Sequence, residues 1–100
     1  MTKEQYLLIQ LMSECCEVAH RASKILHFGM DEIQPEVGVV KGSNNIRLNI
    51  EVNDLLATLE LLRDEYKLIF IIDNDLISLK KEKVTNFMKY SEELGIVKLE

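Results

Sequence analysis

The chain has 100 residues, of which 47% are hydrophobic and 29% charged, with a formal net charge of −5. That length holds one domain, residues 1–100, and the composition is that of a folded globular protein rather than a disordered one. The acidic balance, without a basic stripe interleaved with aromatics, argues against a nucleic-acid polymer as partner.

The first predicted helix runs from Lys3 to Phe28. Leu8, Leu11, Met12, Cys15, Val18, Ala19, Ala22, Ile25 and Leu26 recur at helical spacing, and Gly29 is a stop signal. Glu14 and Glu17 interrupt the opening apolar stretch before it could serve as a signal-peptide core or a membrane span. No targeting segment and no membrane partner is therefore expected. Cys15 and Cys16 are the only cysteines. Neighbours on a helix point about 100° apart, so the two thiols do not bridge each other, and with two histidines in the chain they make no zinc site. They are expected to be small reduced core residues of a cytoplasmic protein. Gln10, Glu14, Glu17, Arg21 and Lys24 form one polar stripe along the edge of the apolar face.

Residues 29–43, GMDEIQPEVGVVKGS, contain three of the four glycines and the only proline. So long a loop in a short chain favours a lid or binding role. Ser43 or Asn44 can cap a second helix reaching about Tyr66. LIFII, residues 68–72, is a short apolar connector open to an extended conformation. Asp73 or Asn74 can cap a third helix that ends near Gly95. The predicted class is all-α, with about three main helices per chain.

The chemistry lies in two carboxylate pairs. Glu14 and Glu17 stand three apart on the first helix, and Glu51 and Asp54 repeat that spacing on the second. Arg47, Glu51, Asp54 and Thr58 fall within a wedge of about 60°. Ile46, Ile50, Ala57 and Leu61 flank it on one side, and Leu48, Val52, Leu55, Leu56, Leu59 and Leu62 on the other. A solvated charged face does not normally have apolar arcs on both edges, so these carboxylates are expected to be partly buried and paired or bound to metal. Four carboxylates converging across a helix–helix interface suit Mg²⁺ or Mn²⁺ better than zinc. Arg21, Lys24 and Arg47 share the stripes, which suits a metal–phosphate substrate. The competing explanation is a set of helix salt bridges.

The ordered set resembles the MazG-like all-α nucleoside triphosphate pyrophosphatases. It comprises ECCEVAHRASKILHFGMDE, then NNIRLNIEVNDLLATLELL, then KKEKVTNFMKYSEELG, and covers roughly residues 7 to 95. The resemblance implies Mg²⁺-dependent cleavage of a (d)NTP between its α and β phosphates, giving monophosphate and pyrophosphate. It places metal ligands at Glu14, Glu17, Glu51 and Asp54. Two positions depart from the family pattern: Ser13 replaces the first of a doubled glutamate, and Asn53 stands where many members have glycine. The implied mechanism is in-line attack of a metal-activated water on the α phosphorus. Glu17 is the candidate for orienting that water or accepting its proton. Lys24 and Arg47 are candidate phosphate contacts, as are Lys80 and Lys83 on the third helix; a snorkelling surface role is the alternative for Lys80. His27 and Phe28 can flank a base, although a core position is the simpler expectation for Phe28.

Two rival classes remain. Glu17 and His20 make the E-x-x-H of di-iron bundles, but the partner motif ends in Asp54 instead of histidine. A non-catalytic, homo-oligomeric helical interaction module would explain the apolar arcs without giving the carboxylates a purpose. Two separated arcs on the second helix exceed what a three-helix chain can shield. A homodimer with a four-helix-type core is expected, and the family resemblance extends this to a dimer or a dimer of dimers.

Overall fold

The computed structural model describes residues 1–33 and 42–100. Those residues form three helices, α1 (Lys3–Phe28), α2 (Asn44–Tyr66) and α3 (Asn74–Glu93), and include no strand. The all-α expectation holds. No helix among the described residues is long and apolar enough to cross a membrane. Residues 34–41, which carry most of the expected lid, lie outside the described residues.

The chain divides into two units, Met1–Phe70 and Ile71–Glu100. In the first, α1 starts from a capping box. The Thr2 hydroxyl accepts from the Gln5 amide at 3.1 Å, and the Gln5 side chain accepts from the Thr2 amide at 2.9 Å. The helix stops at Gly29, whose φ of 93° lies where side chains other than glycine are strained. Its N–H still donates to the Ile25 carbonyl at 2.8 Å. Ser43, not Asn44, caps α2 and accepts from the Ile46 amide at 3.2 Å.

Asn44 ties the loop to the helix instead. Fully buried, it donates through Nδ2 to the Gly29 carbonyl and to Glu32 Oε2, both at 2.9 Å. At the other end, Lys3 Nζ meets Glu65 Oε1 at 3.0 Å. The start of each helix thus meets the end of the other, so α1 and α2 run antiparallel. Leu7 and Leu62 are buried between them, with Leu11, Val18, Ile25, Leu55 and Leu59 half-buried.

Two core expectations are corrected here. Cys15 and Cys16 are free thiols but exposed, because α2 covers the side of α1 that carries Leu7, Leu11, Val18 and Ile25. Phe28 is 52% exposed, since the chain turns away at Gly29 immediately after it.

The connector 68–72 has no regular secondary structure. In the second unit, Asp73 caps α3, its Oδ1 accepting from the Asp75 and Leu76 amides at 3.0 and 3.1 Å. The helix ends at Glu93, and Gly95 at φ 77° closes it with an N–H bond to the Glu92 carbonyl. No residue of α3 is buried, so this unit has no core of its own.

At the end of α2, Lys67 adopts the left-handed conformation (φ 58°, ψ 27°) and donates to the Arg63 and Leu62 carbonyls. A side chain is unfavourable there. Lys67→Gly is expected to raise stability by about 0.5–1 kcal/mol, read from the chemical-denaturation midpoint. An unchanged or lower midpoint would contradict the strain assigned to Lys67.

Candidate functional site

The antiparallel pairing brings the first carboxylate of one motif against both carboxylates of the other. Glu14 of α1 and Glu51 and Asp54 of α2 each place a carboxylate oxygen within 4.8 Å of the other two. Glu14 and Glu51 are half-buried, whereas Asp54 and Glu17 are exposed in the single chain. Partial burial therefore applies to two of the four candidate ligands. Gln10, one turn before Glu14, donates from Nε2 to Glu14 Oε1 at 2.8 Å and fixes that carboxylate.

Glu51 feels the crowding most. Burial raises its pKa above the ordinary carboxylate range, and the charges of Asp54, Glu17 and Glu14 push it further the same way. Arg21 opposes the shift without cancelling it. Glu17 thus acts on the group electrostatically while lying outside the three-carboxylate cluster.

The cations divide into different environments. Arg21 is buried at 8% exposure and Arg47 at 3%. Arg47 donates from Nε to the Gly42 carbonyl at 3.1 Å. Lys24 lies with Nζ 5.6 Å from the centre of the Phe28 ring. Lys80 and Lys83 belong to the exposed surface of α3, where Lys83 sits 6.0 Å from the Phe87 ring centre.

Sequence reading missed Gln10 as a positioning group and Arg21 as the counter-charge to Glu51. The signal for both was available, because each stands four residues from a motif glutamate on one helix face.

The donor set fits a hard divalent cation. It offers carboxylate oxygens alone, and among the described residues no histidine or cysteine joins the cluster. No family model, no curated protein and no solved structure matches this chain.

The raised pKa has a direct consequence for metal-free protein. A group that holds its proton more tightly when folded contributes stability that is full below its unfolded pKa and is lost as pH rises through the folded one. For Glu51 that loss begins near the ordinary carboxylate pKa of about 4.3 and continues upward. Glu51→Gln should therefore melt higher than the parent at pH 7 in chelator, with the difference vanishing near pH 4. A variant that melts lower at pH 7 would show that burial and the neighbouring carboxylates do not disfavour the charged form of Glu51.

Proposed function

We propose that the chain is a Mg²⁺-dependent nucleoside triphosphate pyrophosphohydrolase of MazG-like type, cleaving a (d)NTP to (d)NMP and pyrophosphate. The observation that carries this reading is the meeting of Glu14, Glu51 and Asp54 within 4.8 Å across two helices. These are positions at which the family resemblance puts metal ligands. Salt bridges would set each carboxylate against a cation. Here the carboxylates crowd one another, and the charged form of Glu51 is disfavoured despite Arg21. Violations of this kind concentrate at functional sites.

In this reading Glu14, Glu51 and Asp54 hold Mg²⁺, with Mn²⁺ as a substitute, and Glu17 completes the quartet. When bound, the ion neutralises the triphosphate and acidifies the attacking water. Glu17, exposed beside the cluster, is placed to orient that water or take its proton. Lys24, half-buried on the same stripe, is assigned to a phosphate. Arg47, buried and held by Gly42, supplies fixed positive charge near the start of α2. Lys80 and Lys83 are assigned to the phosphates as contributions from a partner copy.

The experiment is a pyrophosphate-release screen over the (d)NTPs in Mg²⁺. Glu51→Ala and Asp54→Ala should abolish turnover while keeping the parent's helical circular dichroism, and Mg²⁺ should raise Tm only in the parent. Orthophosphate and a diphosphate as first products would overturn the reaction assignment. Wild-type turnover by either alanine variant would overturn the metal site.

The same reading includes a homodimer. On α2 the Ile46, Ala57 and Leu61 arc remains exposed, and on α1 so do Leu8, Met12 and Leu26. Within the first unit each helix covers only one side of the other. Pairing of two copies through these arcs would complete a four-helix core, either as a dimer or within a dimer of dimers. Light scattering at micromolar concentration should give at least twice the 11.6 kDa chain mass. A well-folded monomer would mean that the arcs are covered within the chain.

A further inference from the structure

We propose that Phe28, with Lys24 laid against its ring, is the platform on which the base of the nucleoside triphosphate stacks. This rests on the pyrophosphohydrolase reading above and adds to it the residue that holds the non-phosphate end of the substrate.

The polar stripe of α1 does not stop at Lys24. Gln10, Glu14, Glu17, Arg21, Lys24 and Phe28 follow one another at spacings of four, three, four, three and four. At about 100° per residue these positions share one face, so the aromatic ring continues the line that begins at the carboxylates. The helical rise puts Phe28 about 16 Å beyond Glu17 and about 10 Å beyond Arg21. Lys24 Nζ, 5.6 Å from the ring centre, joins the last cation of the stripe to its aromatic end. A triphosphate near the carboxylates and Arg21 then has its base at the level of the ring.

Phe28 does not behave as a core residue. It is 52% exposed on a helix whose packed side carries Leu7, Leu11, Val18 and Ile25. Nor can it easily withdraw. Gly29 follows at φ 93° with its N–H bonded to Ile25, and its carbonyl accepts from the fully buried Asn44. On the preceding side, His27 is held by a 2.8 Å hydrogen bond between its Nδ1 and the Ser23 carbonyl, with its ring 5.8 Å from that of Phe28. The ring is thus presented to solvent by a fixed backbone. An aromatic beside a lysine, at the end of a phosphate-binding stripe, matches the mixed demand of a nucleotide. The base needs a π-face, and the phosphates need the ammonium.

The test measures binding to the full-length protein in Mg²⁺, using an α,β-methylene deoxynucleoside triphosphate and inorganic tripolyphosphate as probes. Phe28→Ala should weaken the nucleotide analogue about tenfold and leave tripolyphosphate unchanged, the scale and selectivity of losing one stacking aromatic. Phe28→Trp should restore analogue binding, and its indole fluorescence should be quenched by the analogue but not by tripolyphosphate. Equal affinities of parent and Phe28→Ala for the analogue would overturn the platform alone, provided that the parent turns over (d)NTPs. Equal weakening of both probes, or a changed oligomeric mass in Phe28→Ala, would assign the ring a structural role and also overturn it. A parent that binds neither probe removes both this inference and the enzymatic reading.

Discussion

The interface between α1 and α2 has to hold three carboxylates together against their own repulsion. Glu14, Glu51 and Asp54 would move apart if the helices could splay or rotate. Both ends of the pair resist this. The Lys3–Glu65 pair lies at the surface, where solvent screens it and it adds little. The opposite end is firmer. The Asn44 amide bonds to Gly29 and Glu32, and the Asn44 and Asn45 N–H groups donate to the Glu32 and Met30 carbonyls at 3.1 and 3.0 Å. Leu62, 1% exposed, packs within the same antiparallel pair. Geometry is therefore set by packing and the loop clamp, and the carboxylates are carried along. Glu51 records the result: burial first, and then the charges of Asp54, Glu17 and Glu14, hold its pKa above the ordinary value.

Buried arginines fit the same constraint. A guanidinium cannot shed its proton, so burying one demands partners and a compensating field. Arg21 and Arg47 are both engaged, and the acidic surroundings of Arg21 reduce the cost of its burial. The relation is mutual: Arg21 lowers the pKa that its neighbours raise at Glu51. At Glu51 the pull of Arg21 does not offset burial and the three neighbouring carboxylates. In the proposed function, a bound divalent cation would offset that imbalance directly.

Local chemistry made the helices legible. Ser43 or Asn44 and Asp73 or Asn74 offered caps by side-chain chemistry, Gly29 and Gly95 offered stops by conformation, and periodicity filled in three helices close to the observed extent, while the Thr2 cap emerged only in the fold. The repeated spacing on two consecutive helices pointed to the convergence of all four carboxylates, and three of them, Glu14, Glu51 and Asp54, meet. Coverage was not legible. Periodicity shows that α1 has an apolar side about half a turn wide, but not which part of it α2 takes. Cys15, Cys16, Met12 and Leu26 lie on the part it leaves. Asn44 looked like a cap because caps and loop clamps use the same amide; only the fold separates Ser43 in the first role from Asn44 in the second.

The two exposed candidate ligands, Asp54 and Glu17, differ in what borders them. Ile50, Ala57 and Leu61 stand four residues before, three after and seven after Asp54, so its open flank is the apolar arc of α2. The same positions around Glu17 are Ser13, His20 and Lys24, all polar. A second copy seated on the α2 arc would remove water from the Asp54 side and lower the local dielectric, strengthening every interaction between the carboxylates and a cation. It would leave the Glu17 side open, where Arg21, Lys24 and Phe28 continue along α1. Phosphoryl chemistry needs both properties at one place: a dry wall that fixes the charge, and a wet approach through which a highly charged substrate can enter. Under the proposed function, and with a second copy on the α2 arc, the apolar neighbours of Asp54 and the polar neighbours of Glu17 would supply one property each.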